Sequence, residues 1–160
     1  MLNQFKHTGY VTLSDGRQLP YAFGPNQSAI LCQLMGWEFW EHEEKVLPAL
    51  YTVSLYSQIS TNPEATPEQV AEALQLTRRS LFNNPVFVQN FYTSCLQFGA
   101  ELDRVPFELT AAEVGMYQQA EPTAFLPALT HYAQLQADRV AVASVRPVSA
   151  PAKKKRSLKS

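Results

Sequence analysis

The spacing of hydrophobic residues changes after residue 24. Before that point, two short β-prone runs, residues 10–13 and 18–23, flank a polar turn that contains Asp15 and Gly16. Asp-Gly between such runs is typical of a β-hairpin, because both positions tolerate a positive φ. Two strands alone are only marginally stable, so the hairpin must pack against the rest of the chain. The pattern therefore predicts an N-terminal β-hairpin over about residues 9–24.

From residue 25 to about residue 145 the spacing is helical. A first helix begins near Pro25 or Asn26 and ends at Gly36. In the next helix, Pro48 either opens the first turn or produces a kink. The predicted apolar face of this second helix consists of Leu47, Leu50, Tyr51, Ser54 and Leu55.

Local capping signals define the later helices. Thr66 is followed by Pro67 and then by Gln69, which predicts a capped helix that starts at Thr66. Gly99 and Gly115 lie inside predicted helices, where we expect them to allow close packing. The other predicted helices are a central core helix from Pro85, a capped helix from Thr110 to about residue 121, and a last helix over about residues 123–145.

These elements predict one mainly α domain. A chain of 160 residues is long enough to bury a core of its own as a single domain. The predicted fold class is an N-terminal β-hairpin followed by a five- or six-helix single-domain bundle, over residues 1–145. A disordered basic C-terminal tail over residues 146–160 completes the chain.

Net charge separates the two predicted regions. The chain has 13 Lys and Arg against 14 Asp and Glu, for a net charge of −1. Six of the basic residues and none of the acids lie in residues 146–160, so seven basic residues and all 14 acids remain in residues 1–145. Such asymmetry is typical of an interaction tail on an acidic body. The candidate residues in the tail are Lys153, Lys154, Lys155 and Arg156.

No catalytic chemistry is indicated, and we expect no catalytic residue, metal or cofactor. The sequence has no Gly-rich phosphate loop, GxSxG or HExxH motif. Cys32 and Cys95 lack activating neighbours and are expected to be buried free thiols. Glu38 and His42 lie four residues apart, a spacing that could hold a metal ion, but no third ligand is near in sequence. We therefore expect a solvated, acidic helix start in this segment. The sequence also lacks a signal peptide and a membrane-spanning run, which predicts a cytoplasmic protein without membrane contact.

An aromatic cluster is the clearest candidate for partner binding. Trp37, Phe39 and Trp40 lie within four residues of one another, directly after a helix-ending glycine. Three large rings so close in sequence do not all fit on one side of a single element, so at least one of them is expected at the surface as a partner anchor. The alternative is that the rings fold over the core as a lid between two helices.

A longer pattern links the hairpin to the following helices. A strand ends in hydrophobic-x-Phe-Gly, two helices are separated by an acidic and aromatic loop, and Thr-x-Glu-x-Val starts a third helix. This pattern resembles the tail assembly chaperones of long-tailed bacteriophages and prophages. The resemblance covers about residues 9–76 and rests on Gly16, Leu19, Pro20, Tyr21, Phe23, Gly24, Ala29, Thr66, Glu68 and Val70.

The resemblance implies a non-enzymatic role in virion assembly. Such chaperones hold the long helical tape measure protein in solution, bring tail tube subunits to it, and leave before the tail is complete. The expected partners are therefore the tape measure protein, by means of apolar grooves between helices, and the tail tube protein. A second copy of the chain is a further candidate partner. Tyr21 and Phe23 join the three aromatics above as candidate partner-binding residues.

The family is typically made in a short form and a longer form, through a ribosomal frameshift near the end of the short frame. The extension of the longer form contacts the tube subunits. Residues 153–155 are encoded only by AAA or AAG codons, which permit a slippery heptamer. We therefore expect this chain to be the short form of a frameshifted pair.

The sequence is also compatible with two other functions. One is a small nucleic-acid-associated accessory protein whose basic tail contacts phosphates, although no aromatic residue in the tail is placed to stack on bases. The other is a minor tail completion or connector protein. Deletion of residues 147–160 separates the first of these from a chaperone, because it would abolish DNA binding but leave solubilisation of the tape measure protein largely intact.

Overall fold

The computed structural model describes residues 7–145, and the basic tail predicted for residues 146–160 lies outside them. The described part is mainly helical and starts with a two-stranded hairpin, which confirms the predicted fold class. Its elements are β1 (Gly9–Thr12), β2 (Gln18–Tyr21), α1 (Pro25–Met35), α2 (Phe39–Thr61), α3 (Pro67–Arg78), a 3-10 turn (Leu81–Asn83), α4 (Pro85–Asp103), α5 (Ala111–Ala120) and α6 (Pro122–Val145).

The hairpin is antiparallel, with Gly9 opposite Tyr21. Its loop closes through a hydrogen bond from the Leu13 N–H to the Arg17 carbonyl at 2.9 Å and one from the Gly16 N–H to the Leu13 carbonyl at 3.0 Å. Gly16 has a φ of 91°, a value that residues with a Cβ rarely adopt. The Asp-Gly signal therefore produces a three-residue loop, in which only the glycine needs a positive φ.

Helix α4 is the centre of the fold. Ten of the eleven residues at 90–100 are buried, the exception being the half-buried Gln97. Strand β2 and its extension lie directly against this helix, and the Ala22 N–H donates to the Cys95 carbonyl at 3.0 Å. A Cβ on Gly99 would come within 2.3 Å of the Pro20 carbonyl oxygen. The glycine therefore allows close packing on the helix, as the sequence predicted, and the neighbour that packs there is strand β2.

Aromatic rings fill the space around α4. Phe91 is fully buried and lies with its ring centroid 5.0 Å from that of Tyr132 and 5.4 Å from that of Phe82. The rings of Phe87 and Phe23 stack on it at 6.0 and 6.1 Å. The core therefore joins the hairpin, α4 and α6 in one cluster.

The predicted helix starts at Thr66 and Thr110 are confirmed. The Gln69 N–H donates to the Thr66 hydroxyl at 3.2 Å, and the Thr66 N–H donates back to the Gln69 side chain at 3.0 Å. Thr110 and Glu113 exchange the same pair of bonds. These reciprocal bonds satisfy N–H groups that have no partner inside the helix.

The structure decides between the two predicted positions of Pro48 and differs from the predicted buried face of α2. The helix begins at Phe39, well before Pro48, because the Glu38 N–H is capped by the Glu41 carboxylate at 2.7 Å. Pro48 therefore lies inside the helix and does not open it. The buried face also differs, since it consists of His42, Val46, Ala49 and Leu50.

Candidate partner-binding surface

Helix α2 carries apolar residues on two faces. One face is buried in the core, and on another a row of apolar residues recurs every four positions at Leu47, Tyr51, Leu55 and Ile59. Leu47 is 42% exposed and Tyr51 is 68% exposed, whereas the last two residues are half-buried. We call these four residues the α2 row. Residues four apart form a continuous ridge on a helix, and such ridges pack into the grooves of another helix.

The α2 row runs into a groove between α2 and α3. The groove has a volume of about 340 Å³. Its wall is largely apolar, with a polar rim, and consists of Leu55, Ile59, Asn62, Ala65, Gln69, Glu72, Ala73 and Leu76. The distance from residue 47 to residue 59 along the helix is about 18 Å at 1.5 Å per residue. The row and the groove together therefore match three to four turns of a second helix.

This part of the fold has little core of its own. Ala73 is the buried residue of α3, and no residue of α2 beyond Leu50 is buried. Leu76 is 47% exposed, although its helix α3 packs against α2. Most of the stability of a helix in a protein comes from packing of its apolar face. The distal half of the α2–α3 pair therefore leaves apolar surface that a third helix can cover.

The aromatic cluster is divided between core and surface. Trp37 is half-buried and stacks on Phe87 with ring centroids 6.0 Å apart, as expected of a lid. Phe39 and Trp40 are 54% and 62% exposed, and they lie in the first turn of α2. Trp40 lies on the same side of the helix as Leu47 and extends the apolar surface toward the N-terminus of α2.

Tyr21 and Phe23 lie inside the fold rather than on this surface. Tyr21 is 1% exposed, and its hydroxyl forms a hydrogen bond with the ring of His131. Phe23 is half-buried, with its ring 5.2 Å from that of Tyr132. Their burial follows from the packing of β2 on α4, so neither side chain belongs to the exposed surface of α2 and α3, and their role in partner binding stays a prediction. The candidates Lys153, Lys154, Lys155 and Arg156 lie outside the described residues.

The surface is acidic. Residues 38–77 contain seven of the 14 acids and a single basic residue, Lys45. That ammonium group lies 4.9 Å from the Trp37 ring centroid and 3.4 Å from the Glu41 carboxylate. The backbone bond from Glu38, assisted by Lys45, lowers the pKa of Glu41, which keeps this carboxylate charged. Arg78 and Arg79 follow only at the end of α3, where the chain returns to the core.

Three glutamates surround the distal half of α2 and α3. Glu64, Glu68 and Glu72 are exposed, and in residues 7–145 no Lys or Arg forms an ion pair with any of them. Glu72 lines the groove itself. An apolar groove with a net negative rim favours a ligand that combines an apolar stripe with positive charge.

Two further grooves lie elsewhere. One, of about 440 Å³, lies between α1, α4 and the α4–α5 connection and includes Leu34, Val105 and Phe107. The other, of about 370 Å³, lies between the hairpin and the end of α4 and includes Tyr10 and Leu19. Neither continues into an exposed apolar row along a helix, so the α2–α3 surface is the better candidate for a helical partner.

Metal-ligating side chains do not cluster in the described part of the chain. No group of three or more His, Cys, Asp or Glu residues within residues 7–145 is arranged to hold a metal ion. Cys32 and Cys95 are buried free thiols, as predicted, and burial raises the pKa of both. His42 is 9% exposed, so the expected solvated helix start holds for its neighbours but not for this residue.

A membrane-spanning helix has to be both long and strongly apolar. Between residues 7 and 145, no helix meets both conditions.

The described geometry defines a mainly helical fold that begins with a β-hairpin and carries an exposed, acidic and partly apolar surface on α2 and α3. Comparisons with protein-family models, with curated proteins and with solved structures found no match to the chain.

Proposed function

We propose that this chain is a phage or prophage tail assembly chaperone. In this role it binds the tape measure protein through an amphipathic helix of that protein and helps to recruit tail tube subunits. It acts without catalysis, in the cytoplasm of the bacterial host. Recruitment of the tube protein belongs mainly to a longer, frameshifted form.

The observation that carries the proposal is the second apolar face of α2. Leu47 and Tyr51 expose large side chains in line with a groove whose wall is largely apolar. A tape measure protein is long and helical, so it offers repeated apolar stripes at i, i+3, i+4 and i+7. Helix-in-groove recognition uses such stripes as anchors. A chaperone that covers them would keep a long helix from aggregating.

The sequence resemblance and the surface support the same partner independently. The resemblance rests mainly on the hairpin and on the start of α3, whereas the α2 row itself contributes none of the matching residues. The acidic rim adds a preference for tape measure segments with flanking Lys or Arg.

Co-expression with the tape measure protein tests the proposal. Under this proposal, a very long helical open reading frame beside this gene encodes the tape measure protein, and the product of that frame is the protein to co-express. With the wild-type chain, we expect it to be soluble and to co-purify. Tyr51→Glu places a charge in the middle of the α2 row, and we expect it to reduce co-purification by at least about tenfold, since a central aromatic anchor is typically worth about 2 kcal/mol or more.

Met116→Glu is the matched control. Met116 is 71% exposed, close to the 68% of Tyr51, but it lies on α5 outside the candidate surface. We expect this variant to co-purify as the wild type does. Equal loss in both variants would argue against a specific site on α2. If the wild-type chain leaves the tape measure protein insoluble, the proposed function itself is wrong.

A further inference from the structure

Charge is distributed unevenly along the α2–α3 surface. On α2, every Lys, Arg, Asp and Glu lies within residues 41–45, and the rest of the helix carries no charge. Glu43 and Glu44 are exposed, and in the described part of the chain neither forms an ion pair. Because a helix turns by about 100° per residue, these two carboxylates flank the line that joins the exposed Trp40 to Leu47. The apolar surface therefore has negative charge on both sides at this end.

A second acidic group lies further along the surface. Helix α3 runs back along α2, since the two helices pack together and the Ser80 hydroxyl, just after α3, donates to the Ala49 carbonyl at 3.3 Å. Glu72 precedes Ser80 by eight residues, which places it about 12 Å closer to the distal end of α2, beside about residue 57. Glu72 lines the groove, and Glu68 lies about one turn of α3 beyond it.

Positive charge lies between the two acidic groups. Arg78 and Arg79 are exposed and directly precede Ser80, so they lie at about the level of Ala49 on α2. Neither arginine forms an ion pair with a residue that the structure describes. Like charges brought together across an interface repel each other, so this level of the surface disfavours a ligand cation. The order of charge along the surface is therefore negative, positive and negative.

The interval between the acidic groups determines which helix fits them. From Glu43 and Glu44 to the level of residue 57 is about 14 residues, or about 20 Å along the axis of α2. Two residues 14 positions apart on a helix point in directions that differ by only about 40°, so they share one face. A bound helix with basic residues at this interval therefore places one group over Glu43 and Glu44 and the other beside Glu72.

We propose that the α2–α3 surface selects an amphipathic helix with basic residues about 14 positions apart, one group at each end of an uncharged apolar stripe. The stripe lies along Leu47 and Tyr51 and enters the groove at Leu55. The stretch of the ligand that faces Arg78 and Arg79 carries no Lys or Arg. Charge pairs of this kind fix the register of a complex and its specificity more than they add raw affinity.

This inference deepens the proposed function and rests on it for the identity of the ligand, which would be a segment of the tape measure protein. A long helical protein offers many apolar stripes. The charge interval is a criterion by which the chain would bind some of these stripes more tightly than others. The interval itself follows from the positions of charges on this chain.

Two designed peptides test the interval with the full-length protein. Both form helices of about 20 residues with the same apolar stripe and the same number of lysines. The end-charged peptide has its lysines in two groups about 14 positions apart, and the middle-charged peptide has them between those positions. We expect the end-charged peptide to bind at least about fivefold more tightly, measured by fluorescence anisotropy, because several charge pairs form and repulsion by the arginines is avoided. This preference should largely disappear in about 1 M salt, where the Debye length is about 3 Å.

Charge variants of the chain locate the two contacts. The double variant Glu43→Gln/Glu44→Gln and the single variant Glu72→Gln should each weaken binding of the end-charged peptide by about two- to fourfold. Binding of the middle-charged peptide should change little in both variants. Glu101→Gln is the matched control, since Glu101 is also exposed but lines the groove beside α1. This control should bind both peptides as the wild type does.

The arginines are tested in the opposite direction. Arg78→Gln/Arg79→Gln should strengthen binding of the middle-charged peptide by about twofold or more, because it removes the repulsion. Equal affinity of the wild type for both peptides, or no binding of the end-charged peptide, would overturn the proposal. An equal effect of Glu101→Gln and Glu72→Gln would overturn it as well.

Occupation of the surface by a second copy of the chain is a further contrary outcome. The free protein would then sediment as a dimer that Tyr51→Glu dissociates, and the end-charged peptide would not bind to the dimer. The peptides contain no tape measure sequence, so failure in this experiment is distinct from failure of the proposed function. The latter is decided by co-purification of the tape measure protein.

Discussion

Gly99 lies where helix α4 passes over strand β2, and replacing it by alanine tests how the hairpin is held on the body. The added Cβ would lie 2.3 Å from the Pro20 carbonyl oxygen and 2.6 Å from the Tyr21 Cα. Ordinary contacts between such atoms need about 3.5 Å, so the strand backbone would have to move by about 1 Å. Backbone on both sides of the contact leaves no flexible side chain to absorb this shift.

The expected effect is a net loss of stability. In a helix, alanine is more favourable for stability than glycine by up to about 1 kcal/mol. Overpacking lowers stability by about 1–3 kcal/mol, and by more where the backbone must move. We expect Gly99→Ala to lower the free energy of unfolding by about 1–2 kcal/mol. For a chain of this size, that corresponds to a Tm about 3–8 °C lower. Circular dichroism during thermal and urea unfolding measures both quantities.

Gly115→Ala provides the control, because it is the same substitution inside another helix. There the added Cβ would meet the Gln89 side chain, with its Oε1 atom at 2.6 Å. A flexible side chain can turn away, so the gain in helix propensity should make this variant neutral or more stable by up to about 1 kcal/mol. If Gly99→Ala is as stable as Gly115→Ala, β2 does not pack on α4 as described.

Two further predictions concern buried polar and thiol groups. The buried Gln27 side chain donates a hydrogen bond to the Ser94 hydroxyl at 2.8 Å, and Ser94→Ala removes this acceptor. We expect Ser94→Ala to lower the free energy of unfolding, measured in urea, by about 1–3 kcal/mol. The double variant Gln27→Met/Ser94→Ala should recover most of this loss, because it leaves no buried donor without a partner. If Ser94→Ala lowers the free energy of unfolding no more than a substitution at an exposed position does, the buried hydrogen bond between Gln27 and Ser94 is contradicted. Cys32 and Cys95 are buried with raised pKa values, so Ellman's reagent should react slowly with the native protein at neutral pH and with two thiols after denaturation. Rapid reaction of either native thiol would contradict their burial.

Local signals predicted much of the fold. The capping boxes at Thr66 and Thr110 define helix starts, because each satisfies backbone N–H groups with side chains only three residues away. The start of α2 lies in the acidic segment where the sequence predicted a helix start, and its capping box uses Glu38 and Glu41. A glutamate three residues before another at the edge of an apolar segment is the signal that locates this start more closely.

The two faces of α2 show what hydrophobic spacing leaves undecided. Val46 and Leu50 are buried, whereas Leu47 and Tyr51 are exposed, although all four are apolar. When apolar residues lie on opposite sides of a helix, the period alone does not determine which side faces the core. That choice depends on contacts with the preceding helix α1 and with the 3-10 turn, which lies well beyond α2 in the sequence.

The same limit applies to the candidate aromatics. The prediction that the cluster contains an exposed ring is confirmed by Phe39 and Trp40, but the burial of Trp37 depends on Phe87 in α4, 50 residues further along the chain. Tyr21, another candidate partner-binding residue, is 1% exposed. Its burial results from the close approach of β2 to α4, which a single glycine permits.

Hydrogen exchange in the complex with the tape measure protein tests the central claim most directly. The claim is that a partner helix covers the α2 row and the adjoining groove. On binding, amide exchange should slow in residues 47–59 and 70–76, and it should change little in α5, whose exposed Met116 lies outside the surface. Protection confined to α5, α6 or the hairpin, with unchanged exchange along α2 and α3, would contradict the claim.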